Sequence, residues 1–355
     1  MTLAHLKIFL WIAVFIVLLE LGLEVRANQR GWDTMVFGFS PPSLSVSQQQ
    51  QGTSEFGPTP AFPFRSRIVS LEREPWNYRY WVASSSHAED IYLPPPMIFP
   101  NILERFLKEG KINAVVLNAS RAGLDIPGNV DDLKRRGAEW KPDYAILYQM
   151  SLSIGSIAKH VLGSPAQVAS AKPSDAKEGP VTWINRLVEK TTIYANVKGQ
   201  IAARIGASRV LANGLGPQAE QEFTAMLRDF IGAARAIGSV PVLTTFATSH
   251  TRKHLGEIPQ DIALGLFKYS SVLSVEGWVA SVEQFNAAVK RVAVEERVLL
   301  IDVEYAVAGH PEYFRDFVHF TPAGHEAMAK AMSVALLHFE QERAMAPTDR
   351  ERAAP

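Results

Sequence analysis

No cysteine occurs anywhere in the 355 residues, so a disulfide scaffold, a thiol nucleophile and a cysteine-ligated zinc site are all excluded. Charge of one sign is not in excess either. Thirty-six Lys and Arg face 36 Asp and Glu, without the basic surplus a nucleic-acid binder uses to neutralise phosphates. No nucleic-acid partner is expected. Internal repeats are absent, and no uninterrupted apolar run reaches the roughly 20 residues of a full bilayer span. What is present is 47% hydrophobic against 20% charged residues, enough apolar material for a complete core. The length suits two domains or one large domain with appendages.

The most hydrophobic stretch lies at the N-terminus. Residues 8–19 read IFLWIAVFIVLL, extended by Leu21, Leu23 and Val25 around Glu20 and Glu24. That is short for a span and long enough for a secretory h-region of about 7–15 residues. Residues 1–30 are read as a signal-anchor, with cleavage near Val25-Arg26-Ala27 and secretion as the alternative; a buried helix here would have little to pack against. Either export reading carries the rest of the chain out of the cytoplasm. Residues 31–65, with FGFSPPSLSVSQQQQGTSEFGPTPAFP at 37–63, show neither strand nor helix period and are expected to be a flexible linker. The tail 341–355 is polar and expected to fray.

The remaining domain, 66–340, alternates strand-like and helix-like patterns. Candidate strands are 78–83, 113–118, 143–149, 240–246 and 297–302, each nearly continuously apolar as in a sheet covered on both faces. Between them, Phe223, Met226, Leu227, Phe230, Ile231 and Ala234 follow a helical period, as do Val282, Phe285, Val289 and Val292. Pro100 and Gly110 bracket a further helix at 101–109. The alternation predicts a three-layer α/β/α sandwich on a five-stranded, mostly parallel sheet. In such folds ligands bind beyond the carboxyl ends of the strands. Residues 164–220 interrupt the rhythm and are read as an insertion.

Polar residues gather at those strand ends. Ala83-Ser84-Ser85-Ser86-His87 follows the first strand and Asn118-Ala119-Ser120-Arg121-Ala122-Gly123 the second; Asp316-Phe317-Val318-His319-Phe320-Thr321-Pro322-Ala323-Gly324-His325 precedes the last helix. Alone, a serine triplet is a turn or a helix cap, a histidine is a satisfied interior residue, and Gly123 supplies a positive φ. His325 is expected to pack or hydrogen-bond within the last helix and Asp302 to serve a turn. His250 and His254 are four apart, but no acidic partner completes a metal motif, so no metal and no cofactor are expected.

Taken together these blocks resemble the SGNH hydrolases, also called the GDSL esterase/lipase family, over most of 78–340. The most specific element is Asp316-x-x-His319 followed by Thr-Pro-x-Gly-His and a helix. The resemblance implies the flavodoxin-like fold of that family and a Ser85-His319-Asp316 triad, with Ala83, Ser84 and Ser85 in the place of Gly-Asp-Ser. It also implies an oxyanion hole built from the backbone N–H groups of Ser85 and Gly123. Where the family has Gly-x-Asn-Asp after the third strand, this chain has Met150-Ser151-Leu152-Ser153, which puts Leu152 in the place of the asparagine. Gln149 and Ser151 are the candidate substitute donors. Such a set suits acyl transfer: an imidazole takes the serine proton, a carboxylate fixes the imidazole, and N–H donors hold the oxyanion. The expected function is a membrane-tethered extracytoplasmic esterase or deacylase acting on a small-molecule or carbohydrate ester. The alternatives are an impaired accessory protein on the same fold and an acyltransferase acting on an exported polymer.

Overall fold

The computed structural model describes residues 55–59, 62–74, 76–163, 211–270 and 272–345, together with His5, Trp11 and 14–22. Five strands form one sheet: β1 (Tyr78–Ala83), β2 (Ala114–Asn118), β3 (Tyr144–Leu147), β4 (Val240–Thr244) and β5 (Leu299–Ile301), in the order β2-β1-β3-β4-β5. Every pairing is parallel. The first three strands are buried almost throughout because helices cover both faces, which accounts for their unbroken apolar sequences.

The helices are α1 (Ser86–Glu89), α2 (Phe99–Glu109), α3 (Ile126–Asp132, continued by further helical turns to Trp140), α4 (Ser151–Leu162), α5 (Pro217–Ala236), α6 (Gln260–Tyr269), α7 (Val275–Glu296), α8 (Val303–Val307) and α9 (Pro322–Met345). Helices α2, α8 and α9 pack together in one layer, while α3, α4, α5 and α7 make the other. Burial of Phe223, Leu227, Phe230 and Ile231 on α5 and of Val282, Phe285 and Val289 on α7 follows the helical period of the sequence. The rings of Phe223 and Phe285 stack at 4.1 Å where these two helices meet. The expected three-layer sandwich is therefore present.

The boundaries differ in places. The packed unit begins at Glu55 rather than 66. Phe62 and Phe64 are buried, with ring centroids 5.0–5.5 Å from those of Trp140 and Trp81, and Arg136 lies over the Phe64 ring. Two aromatic rings thus anchor a segment whose Ser, Pro and Gly content reads as linker. At the other end α9 continues to Met345, into the expected tail. Most of the expected insertion, 164–210, lies outside the described residues, and α5 begins within its last part. The expected anchor lies partly outside them too: 14–22 are helical, and among the described residues no helix is long and apolar enough to cross a membrane.

The order in which strands are added reverses at β1, which pairs with β2 on one side and β3 on the other. Beyond the carboxyl ends of β1 and β3 lies the crevice where doubly wound sheets bind ligands.

Candidate active site

At the end of β1 the chain stays extended through Ser85 (φ −127°, ψ −141°) and turns into α1 at Ser86. The three serines therefore diverge. Ser84 Oγ donates to Tyr148 O at 2.5 Å, and Ser85, fully buried, bonds His87 Nδ1 at 3.0 Å. Ser86 Oγ, at the helix start, lies 2.8 Å from His319 Nε2. The expected position of Ser85 against His319 is corrected by one residue: the extended backbone turns the Ser85 side chain into the interior, and the first residue of α1 reaches the histidine.

The loop carrying His319 is closed on itself. Arg315 N–H donates to His319 O at 2.7 Å, and Thr321 N–H to Tyr313 O at 2.9 Å. Asp316 Oδ1 accepts the backbone N–H groups of Val318 and His319, each at 2.8 Å, leaving Oδ2 to receive His319 Nδ1–H at 2.7 Å. Burial works to raise the Asp316 pKa, but the hydrogen bond and charge of His319, with the two backbone donors, outweigh it and hold the carboxyl at about 2. Asp316 is thus ionised, which assigns the His319 proton to Nδ1 and leaves the Nε2 lone pair to accept from Ser86 O–H. Asp316 and His319 thus face each other within one tight loop.

The loop after β2 is fastened beside α1. Ala122 N–H donates to Glu89 Oε2 at 2.5 Å, and Asn118 Nδ2 donates to Ala88 O at 2.8 Å. Burial raises the Glu89 pKa against that backbone hydrogen bond. Gly123 follows with φ +80°, a conformation that favours glycine, and a Cβ there would meet open space. Its N–H belongs to a segment fixed to the helix that Ser86 begins. Gln149 is buried; its Nε2 donates to Leu124 O at 2.7 Å and its Oε1 has no partner. Gln149 thus braces the Gly123 loop.

The pairing Ala83↔Leu147 ends the β1–β3 ladder, and Met150 caps the start of α4. Ser151 comes next, buried at the start of α4, and its Oγ lies 3.1 Å from His87 Nε2. Leu152, expected in the place of the asparagine, is only half-buried. Ser151 is the residue of this segment that bonds His87, whose ring stacks on that of His319.

Two groups escaped the sequence reading. His87 is buried, its ring stacked on that of His319 with centroids 5.3 Å apart and bounded by Phe246 at 5.2 Å. Its position directly after the serine triplet was the available signal. Asp90 Oδ2 accepts from His325 Nε2 at 2.8 Å and Arg315 Nη2 at 2.7 Å, and His325 Nδ1 accepts Phe99 N–H at 3.1 Å. His325 therefore bonds across the fold rather than within its own helix, and no local pattern announces a partner so far away in sequence. Asp302 caps α8 through Tyr305 N–H and pairs with Lys290 at 2.9 Å.

No protein-family model and no curated protein matches the chain. The solved structures that resemble it include lipases, acylhydrolases and acetyl xylan esterases. TesA is 15% identical with a TM-score of 0.41, covering 73% of this chain and 97% of that one. A lipase/acylhydrolase from Enterococcus faecalis is 12% identical with a TM-score of 0.42, covering 74% and 96%. The acetyl xylan esterase AlAXEase is 13% identical with a TM-score of 0.42, covering 73% and 99%. Likenesses this distant leave the chemistry of the site to be read from its own atoms.

Proposed function

We propose that this chain is a serine esterase or deacylase in which Ser86 is the nucleophile, His319 the general base and Asp316 the residue that orients and stabilises the base. The observation that supports this reading is the continuous relay from Ser86 Oγ through His319 Nε2 and Nδ1 to the ionised Asp316, at 2.8 and 2.7 Å. As Ser86 Oγ attacks an ester carbonyl, its proton passes to His319 Nε2, and Asp316 stabilises the imidazolium. The oxyanion of the tetrahedral intermediate is held by the backbone N–H groups of Ser86, which as the first helical residue has no intrahelical acceptor, and Gly123. His319 returns the proton to the departing alcohol. Water activated by the same imidazole then cleaves the acyl-enzyme.

The substrate class is an acyl ester of a small molecule or carbohydrate, and the apolar run at 8–19 supports an extracytoplasmic, membrane-tethered enzyme. The experiment is covalent labelling by a fluorophosphonate with mass-spectrometric mapping, alongside hydrolysis of p-nitrophenyl acetate. A single adduct on Ser86, lost in Ser86→Ala, is expected. A folded protein that takes up no label would reject the reading.

A further inference from the structure

Gly123 occupies the third position of a tight turn. Arg121 O accepts Leu124 N–H at 3.1 Å, Gly123 has φ +80°, and Ala122 keeps a negative φ, which together make the type II pattern. Types I and II differ by a flip of the middle peptide, and here that peptide carries the Gly123 N–H. Among the described residues this N–H meets no acceptor, so it is free to bond a substrate oxygen. Arg121, Ala122 and Gly123 are all exposed, and an exposed turn does not by itself hold a donor in place.

Two side chains from other elements grip the turn on either side of that peptide. Ahead of it, Glu89 ends the helix that Ser86 begins, and its Oε2 accepts Ala122 N–H at 2.5 Å. Behind it, the buried Gln149 after β3 donates from Nε2 to Leu124 O at 2.7 Å. A carboxylate so close to a forming oxyanion opposes it by charge, and two arginines answer that charge. Burial raises the Glu89 pKa, while the Ala122 hydrogen bond and the charges of Arg65 and Arg121 lower it.

We propose that Glu89 is a positioning residue of the oxyanion hole, with Gln149 as its counterpart, the two holding the Arg121–Leu124 turn so that Gly123 N–H keeps a fixed place relative to Ser86. The inference rests on the reading of Ser86 as nucleophile and Gly123 as donor. Neither side chain touches the substrate. Ser86 and Glu89 stand three apart on one short helix, so nucleophile and donor turn share a single rigid reference.

The test is kinetic, on the full chain, with p-nitrophenyl acetate as substrate and fluorophosphonate labelling carried to completion to count active sites. Glu89→Ala and Gln149→Met, the second keeping the side-chain volume, should each lower kcat by about 10- to 100-fold while KM stays within about twofold, because the donor acts on the developing oxyanion. Glu89→Gln retains an oxygen that accepts Ala122 N–H and should hold kcat within about threefold of wild type. Gly123→Ala is strained at positive φ and displaces the turn itself, so in that background Glu89→Ala should cost no more than about a further twofold. Counting only sites that react keeps misfolded protein out of kcat. Wild-type kcat in Glu89→Ala or Gln149→Met, a Glu89→Gln variant as slow as Glu89→Ala, or an undiminished loss in the Gly123→Ala background would overturn the proposal while leaving Ser86 as nucleophile. A wild-type protein that never labels at Ser86 would overturn both.

Discussion

His325 donates from Nε2 to Asp90 Oδ2 across 2.8 Å, joining the last helix to the residue that closes α1, 235 positions earlier. Both side chains are almost wholly buried, and the carboxylate also receives Arg315, the residue before Asp316. Burial works to raise the Asp90 pKa, but His325 and Arg315 outweigh it and lower the value. Because Phe99 N–H occupies His325 Nδ1, the ring proton must sit on Nε2, and the ring is a neutral bridge. The Ser86 helix and the Asp316–His319 loop thus hang on one carboxylate.

Asp90→Ala should therefore cost about 3 kcal/mol or more, since it strands a buried imidazole N–H and the Arg315 charge together. His325→Phe keeps a ring beside Phe99 and loses both hydrogen bonds, at about 2–3 kcal/mol. Urea unfolding of the two variants and their combination checks the bridge. The losses should be less than additive by at least about 1 kcal/mol, and full additivity would mean the two side chains act separately.

Separating the serines is the most direct check of the site. Ser86→Ala should abolish fluorophosphonate labelling and reduce ester turnover by about 10⁴-fold or more, whereas Ser85→Ala keeps the label on Ser86 at a reduced rate. Asp316→Asn should lose about 10⁴-fold through the wrong imidazole tautomer while remaining folded. A protein that still labels in Ser86→Ala and stops in Ser85→Ala would restore the register expected from the sequence.

That register shows where sequence reading ends. Apolar runs such as YRYWVA and AVVLN announce strands because burial on both faces leaves no polar alternation, and Asp316-x-x-His319 announces its pairing because three residues of tight turn suffice to close it. Ser84, Ser85 and Ser86 are chemically identical; only the point at which the extended chain becomes helix decides which faces His319. Phe62 and Phe64 were hidden by their Pro- and Ser-rich surroundings, because two aromatic contacts outweigh a composition that favours disorder. His87 and Asp90 draw their roles from partners on other elements, Ser151 after β3 and His325 on α9.

Acid should expose His87. Its ordinary pKa of 6.5 falls to about 3 in the fold, so between those values the unfolded chain binds a proton that the folded protein does not. Stability must therefore decline as pH drops below 6.5, by about 1.4 kcal/mol per unit, until the folded ring also protonates. From pH 7.5 to 4.5 that amounts to about 3 kcal/mol. His87→Phe removes this share. The variant should be less stable than wild type at pH 7.5, having lost two hydrogen bonds, and the gap should close or reverse at pH 4.5. His325, also lowered by burial, contributes equally to both proteins and cancels in the comparison. Urea unfolding at the two pH values decides it, and a gap that stays constant would mean that His87 is not held neutral.

Gly324 tests the loop from its far side. A Cβ at this position would lie 1.9 Å from Tyr313 O and 2.8 Å from its carbonyl carbon, contacts with backbone that no side-chain rotation relieves. Tyr313 O also accepts Thr321 N–H, and the Phe314–Phe320 bridge follows directly, so pushing Tyr313 away pulls on the frame that sets Asp316 against His319. Gly324→Ala should cost about 1–3 kcal/mol, as overpacking does, and should lower kcat by about 10- to 100-fold, since small displacements of a base from its nucleophile are expensive in rate. Gly232→Ala on α5 is the control. Its Cβ meets nothing within 4 Å, so the variant should gain up to about 1 kcal/mol from helix propensity and keep its turnover. If Gly324→Ala matched that control in stability and rate, the close approach of α9 to Tyr313 would not be what holds the Asp316–His319 loop in place.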